Sequence, residues 1–184
     1  SEISTFVAAF YIGAMVFQFP IGWLSDRMDR RILIVATSAI GFMAALSAVV
    51  VVDVFLIIVG SAFFIGGMSN PLYSLLIAYT NDFLEHDDMA SASGGLLFLN
   101  GLGAISGPLF TGYLMTKMGP EGFFIILASL SGLLTVYGLY RMTQRGISDV
   151  DTSSYATVVP TASVVAVEIA QEVAIEAAEE MNEI

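Results

Sequence analysis

The stretch Gly22-Trp23-Leu24-Ser25-Asp26-Arg27-Met28-Asp29-Arg30-Arg31 stands between two long apolar segments. Residues 3–24 carry no charged side chain, and residues 32–52 carry none either. Three of the six basic residues of the chain fall in this polar stretch. Short loops rich in Lys and Arg stay on the cytoplasmic side of a membrane. The stretch therefore predicts a cytoplasmic loop that joins two membrane-spanning helices.

The composition places the whole chain in the membrane class. Hydrophobic residues make up 57% of the sequence and charged residues 12%, against about a quarter charged in an ordinary soluble domain. The absence of cysteine excludes disulfides and thiol chemistry. The net charge of −11 is concentrated in residues 142–184, which hold eight acids and one base. This acidity argues against nucleic-acid binding.

Apolar segments of about 20 residues, the length that crosses a bilayer, recur along the chain. They predict an all-α integral membrane domain over residues 1–141, with five transmembrane helices at about 3–24, 32–52, 54–81, 89–116 and 123–141. Residues 82–88 are predicted to form a polar loop in which His86 is solvated, and Lys117 to Gly122 a turn.

Residues 142–163 are predicted to form a flexible polar linker, and residues 164–184 an acidic cytoplasmic tail. The tail is either solvated or forms a helix whose apolar face, with Val165, Ile169 and Val173, docks on a partner.

The charges give a consistent topology for these helices. If the Arg27–Arg31 loop is inside, alternation places five basic residues inside and only Lys117 outside. The N-terminal end of the sequence is then predicted outside, and its C-terminal end in the cytoplasm.

The polar stretch resembles the signature loop of the major facilitator superfamily, which joins the second and third helices of each six-helix half. The matching residues are Gly22, Leu24, Asp26, Arg27, Arg30 and Arg31. Asp29 stands where the family usually has glycine, which changes the turn and adds an acid to the charge network. The resemblance implies a gating loop, whose salt bridges between bundles hold one access state. The alternative is that the arginines only set topology and bind lipid headgroups.

Residues 66–74 and 92–108 further resemble the C-terminal half of the YcaD-like branch of that superfamily. Each half of such a transporter has six helices, so the missing helix is expected before Ser1. The polar tail at the end of the sequence favours the C-terminal half, and the five helices would then be helices eight to twelve of twelve. A partner is then expected in the missing N-terminal half of the same polypeptide. An alternative places the chain in the N-terminal half, with residues 142–184 opening the central loop. The resemblance also implies a bacterial inner (plasma) membrane.

Two prolines and two glycines are predicted to shape the helices. Gly103 and Gly107 share a helix face, which permits close approach of a neighbour. Pro108 and Pro71 each remove a backbone hydrogen bond and bend their helices. Simple close packing is the alternative for the glycines.

Polar side chains inside the apolar helices are the candidates for a substrate pathway, because they are costly in hydrocarbon and should face protein or water. They are Gln18, Asn70, Tyr73, Ser74 and Asn100. Structural hydrogen bonds between helices are the alternative interpretation. No acid, Lys, Arg or His lies at mid-membrane depth, so proton coupling would need a group elsewhere.

The sequence therefore predicts a transporter that moves a small solute by alternating access, within a lipid bilayer. It predicts no enzyme activity, no cofactor, no metal site and no nucleic-acid partner. The alternative function is a non-transporting membrane scaffold or sensor whose acidic tail binds a partner.

Overall fold

A computed structural model describes residues 2–51, 53–84 and 86–144, together with residues 169, 170 and 173. Five helices follow one another in the continuous part: α1 Glu2–Ser25, α2 Arg30–Val50, α3 Phe55–Asn81, α4 His86–Met118 and α5 Glu121–Gln144. All five are long and apolar enough to cross a membrane. The chain is thus an all-α integral membrane protein, as the sequence predicts.

The polar stretch is shorter than the sequence suggested. Gly22 and Leu24 belong to α1, and α2 already begins at Arg30 rather than at residue 32. Asp29 is the residue before α2, and its side chain accepts a hydrogen bond from the backbone N–H of Arg31 at 2.9 Å. The acid that replaces the usual glycine is therefore a helix N-cap, which satisfies an otherwise unpaired amide.

Three other boundaries also differ from their predictions. The polar loop predicted at 82–88 ends earlier, because α4 starts at His86 and carries Asp88 in its first turn. Carboxylates are favoured there by the helix dipole. The predicted turn from Lys117 is confined to Gly119 and Pro120, and the φ of 81° at Gly119 suits glycine. Residues 142–144 continue α5 and are not linker.

The remaining linker and most of the acidic tail lie outside the described residues. Of the predicted apolar face of the tail, Ile169 and Val173 are described, and both are helical and exposed.

Helices that are consecutive in the chain are not always neighbours in space. The most extensive contact joins α1 to α3, followed by α2 with α5 and α2 with α3, while α1 and α2 barely touch. The packing order is therefore α1, α3, α2, α5, with α4 attached mainly to α5. Helix α3 lies between α1 and α2, and its C-terminal end lies close to the charged ends of both.

The contact between α1 and α3 depends on glycines where the two backbones cross. A Cβ atom added to Gly66 would lie 2.1 Å from the backbone oxygen of Phe10, and one added to Gly13 would lie 1.9 Å from that of Phe63. Even a methyl group has no room there. Small residues at such crossings are the usual route to close packing in membranes, where apolar side chains gain little by leaving lipid.

Two apolar clusters complete the packing. One lies near the α1–α2 loop around Ile21, Leu33, Ile34, Met68 and Leu75. The other lies towards the opposite end, around Ala45, Ala48, Ile65, Phe124 and Ala128. The hydroxyl oxygens of Ser47 and Ser61 lie 3.0 Å apart and link α2 to α3.

We expect Gly66→Ala to lower the free energy of unfolding of the full-length protein by about 1–3 kcal/mol, because overpacking displaces the α1 backbone. Gly60→Ala on the same helix is the matched control, since a Cβ there meets nothing within 4 Å. It should leave stability unchanged or raise it by about 1 kcal/mol through helix propensity. Denaturant titration in detergent micelles measures both, and equal effects would contradict the crossing.

Candidate functional site

The guanidinium of Arg30 lies at the centre of a charged cluster at one end of the bundle. Arg30 is 2% exposed although it is the first residue of α2. Its Nη1 donates to the carboxylate of Asp82 at 2.5 Å and to the backbone oxygen of Ala78 at 3.2 Å. Its Nε donates to the hydroxyl of Ser25 at 3.2 Å. One side chain thus joins the end of α1, the start of α2 and the end of α3.

The other charged residues of the loop surround this centre at greater exposure. Asp26 lies 4.0 Å from Arg30, and its side chain is 45% exposed. Arg31 pairs with Asp29 at 3.1 Å. Arg27 stacks on the ring of Trp23, with 4.1 Å between the guanidinium carbon and the ring centroid. All the described partners of these side chains belong to this one bundle.

Sequence reasoning missed Asp82 and Ser25, which are the closest side-chain partners of Arg30. Asp82 was placed only in a polar loop, although the topology put that loop on the same membrane side as Arg30. Their shared membrane side was the signal in the sequence that could have predicted this contact. The neighbouring Asn81 is 6% exposed, and its Oδ1 has no hydrogen-bond partner among the described residues. If the charged side chains at this end exchange partners, the Oδ1 of Asn81 is a buried hydrogen-bond acceptor within the same region.

A second feature is the sparsely packed boundary between α3 and α4, called the α3–α4 cleft below. These helices meet where Ile77 packs with Tyr73 and Leu96, and they make few other contacts. Tyr73 therefore lies on the face of α3 that looks towards α4. Asn70 precedes Tyr73 by three residues and Asn100 follows Leu96 by four, so each shares the face of its neighbour.

The two asparagines also lie at similar depth. At 1.5 Å per residue, Asn70 is about 16 Å from the end of α3, and Asn100 is about 21 Å from the start of the antiparallel α4. Both distances place them near the middle of a hydrocarbon core about 30 Å thick. Both side chains are partly exposed in this structure. Helix periodicity thus places Asn70 and Tyr73 on the α3 face, and Asn100 on the α4 face, that take part in this contact.

Two other pathway candidates lie elsewhere. Ser74 is 1% exposed, so a solute in the cleft has no access to it in this arrangement. Gln18 is partly buried on α1, and α1 makes no contact with α4.

The glycines and prolines of the predicted bends are placed differently. A Cβ at Gly103 or Gly107 would meet nothing within 4 Å, so no described helix packs closely on either of them. Pro108 is exposed on α4, which continues through it to Met118. Pro71 is buried within α3. Any close packing at Gly103 and Gly107 would therefore involve another part of the protein.

The described ranges contain no group of three or more His, Cys, Asp or Glu side chains arranged to hold a metal ion. The charged cluster has instead the composition of a salt-bridge network that links helix ends. The cleft has the composition of a polar lining in an apolar bundle.

These features define an integral membrane protein of the transporter type, with a polar cleft between helices and a charged network at one membrane surface. The family model of the Major Facilitator Superfamily matches residues 1–167, and the chain belongs to that superfamily.

Two curated relatives carry the same class of name. YfkF of Bacillus subtilis (strain 168), an uncharacterized MFS-type transporter, is 31% identical over 135 residues, which are 71% of this chain and 34% of YfkF. YcaD of Escherichia coli, also an uncharacterized MFS-type transporter, is 28% identical over 134 residues, which are 71% of this chain and 33% of YcaD. The chain spans about a third of the length of these relatives. No solved structure matches it with significance.

The comparisons confirm the sequence-based resemblance to the superfamily and to its YcaD-like branch. They also confirm that the chain belongs with transporters rather than with enzymes.

We expect Arg30→Gln to lower the free energy of unfolding by about 3–5 kcal/mol, because it leaves a poorly solvated carboxylate at Asp82 without its cation. Asp82→Asn should also destabilise, and the double variant should lose less than the two single losses together. The difference should be about 1–3 kcal/mol in a double-mutant cycle.

The matched control for that cycle is Arg27→Gln, which removes a cation from the exposed side of the same loop. It should cost no more than about 1 kcal/mol, the value of an exposed cation–π contact. Additive losses at Arg30 and Asp82 would contradict direct coupling between them.

Proposed function

We propose that this chain forms most of the C-terminal half of a transporter that carries a small solute by alternating access. The rest of the same polypeptide would supply the second bundle, and the two bundles would rock around a site near the membrane midplane. The observation that carries the proposal is the sparse α3–α4 contact around Ile77, Tyr73 and Leu96. Helix periodicity places Asn70 and Asn100 on the same two faces.

The solute would bind in that cleft through Asn70, Tyr73 and Asn100. Amide and phenol groups donate and accept hydrogen bonds without charge, which favours a neutral or weakly polar solute in this half. A solute that exchanges hydrogen bonds with these groups gains affinity and specificity. Gln18 and Ser74, which the sequence also suggested, are not part of this proposed site because of their positions.

The exposed surface of α4 supports a second bundle. Apolar side chains stand out around this helix, among them Phe98, Leu102, Ile105, Leu109 and Phe110. Lipid covers such side chains readily, but Gly103, Gly107 and Pro108 form a smooth strip that suits close approach of another helix. That strip would face the other half of the transporter.

The charged cluster would act as the gate at the cytoplasmic end. Arg30 and Asp82 form its buried centre, whereas Asp26 is nearly half exposed and within reach of a second bundle. Rocking would exchange the partners of Asp26 while the buried pair keeps the ends of α1, α2 and α3 together. An exposed ion pair contributes little to stability, which suits a contact that must break in every cycle.

The gating loop is proposed to lie in the cytoplasm of a bacterial plasma membrane, following the positive-inside rule. A single cysteine at Met28 should then resist a membrane-impermeant maleimide in intact cells, and one at Lys117 should react. The chain has no cysteine of its own, so the readout depends on cysteines elsewhere in the polypeptide being removed. Labelling of Met28→Cys from outside would contradict this topology and indicate the opposite orientation.

The transport function is tested first by screening neutral and weakly polar solutes for those that raise the unfolding temperature of the full-length protein. Each stabilising solute is then assayed for uptake into proteoliposomes. Asn70→Ala should weaken apparent affinity about three- to tenfold, the value of one hydrogen bond. Asp26→Asn should lower the maximal rate and leave affinity unchanged.

Each of these variants is the control for the other, and Ser129→Ala, on an exposed site of α5, controls for both. Stabilising solutes that are never transported would overturn the transport function. Equal effects of Asn70→Ala and Asp26→Asn on affinity and rate would overturn the separation of cleft and gate.

A further inference from the structure

A groove opens beside the charged cluster, and its lining includes no described residue of α4. It lies between α2, α3 and α5 and has a volume of about 170 Å³. Two arginines, Arg31 and Arg141, and two tyrosines, Tyr79 and Tyr137, line it together with aliphatic side chains. Arg31 belongs to the charged cluster, but the partner exchange proposed for gating involves Asp26 rather than Arg31.

The position of the groove is that of a membrane interface. It lies at the end of the bundle that carries four of the five described basic residues, whereas Lys117 lies at the other end. Tyrosine side chains are enriched at the headgroup level, with the ring in the apolar region and the hydroxyl towards water. The same end also exposes Trp23 and Tyr140.

The lining of the groove changes in character with depth. Arg31 lies in the first turn of α2 and Arg141 in the last turn of α5, so both cations lie near the rim. The deeper wall is aliphatic, with Ile34 and Leu134. Cations above an apolar channel match a ligand that has an anionic head and a hydrocarbon chain.

The charge at the rim is net positive. Arg31 is already paired with Asp29, while Arg141 has no ion pair within the described ranges and is exposed. Guanidinium groups bind phosphate through parallel hydrogen bonds and are less strongly hydrated than ammonium. Arg141 can therefore take a phosphate, with Arg31 shared between that phosphate and Asp29.

We propose that this groove binds one anionic phospholipid, with its phosphate between Arg31 and Arg141 and part of an acyl chain against Ile34 and Leu134. The cytoplasmic leaflet is rich in anionic lipids, and basic pockets between helices are suited to their headgroups. The acidic tail of this chain is a poorer occupant, because a helix about 10 Å across does not enter a groove of this volume. The bound lipid would bridge α2 and α5.

The test is native mass spectrometry of the full-length protein in detergent, titrated with phosphatidylglycerol. Arg141→Gln should raise the apparent dissociation constant about fivefold, the effect of one basic residue near an anionic headgroup. Leu134→Trp, which fills the apolar wall, should weaken binding by a similar factor. Arg141→Lys should restore part of the affinity, since it keeps the charge but not the paired donors.

Matched controls change the same chemistry outside the groove. Arg27→Gln removes a cation from the same membrane surface, and Leu130→Trp adds an indole to an exposed site of α5. Both should bind phosphatidylglycerol as the unmodified protein does. If Arg27→Gln and Arg141→Gln weaken phosphatidylglycerol binding equally, surface charge alone explains the effect, and the proposed site is wrong.

Two further experiments, a ligand comparison and a truncation, decide what occupies the groove. Phosphatidylcholine should bind more weakly than phosphatidylglycerol, and inorganic phosphate should not displace the lipid. Displacement by phosphate would make the site an anion site without a lipid requirement. Removal of residues 146–184 should leave lipid affinity unchanged, and a marked gain in affinity would identify the tail as the occupant instead.

Discussion

The Arg30 guanidinium is held among the ends of three helices, and the carboxylate of Asp82 balances its charge. A buried cation is tolerated only when its donors are satisfied and a counter-charge is near. The hydroxyl of Ser25 and the backbone oxygen of Ala78 complete that requirement. The ends of α1 and α3 must therefore meet at the start of α2, and this condition fixes their relative heights in the membrane.

The close crossing of α1 and α3 supports this arrangement from further along the helices. Gly13 and Gly66 allow the two backbones to touch, and contact between backbones supplies dispersion energy that the lipid does not offset. With α3 held against α1, its other side is free to contact α2. The glycine crossing and the Arg30 cluster thus act at two points on the same helix pair and make it a rigid unit.

Helix α4 departs from that rigidity. It is joined to α5 by a tight turn at Gly119 and meets α3 at few points. With so few contacts, the boundary between α4 and α3 is open, and Asn70, Tyr73 and Asn100 are the polar residues proposed to line it. The groove beside α5 is lined by described residues of α2, α3 and α5 only. A lipid there would reinforce the α2–α5 contact without entering the proposed solute path.

The sequence by itself determined the five membrane helices, the basic loop and the family, because segment hydropathy, charge placement and a local motif do not depend on which helices meet. It also placed Asn70, Tyr73 and Asn100 among the polar candidates. Only the tertiary structure decided that Arg30 is buried against Asp82, because that pair is separated by 52 positions. It likewise separated Ser74 and Gln18 from the cleft, since burial depends on neighbouring helices that local sequence does not specify.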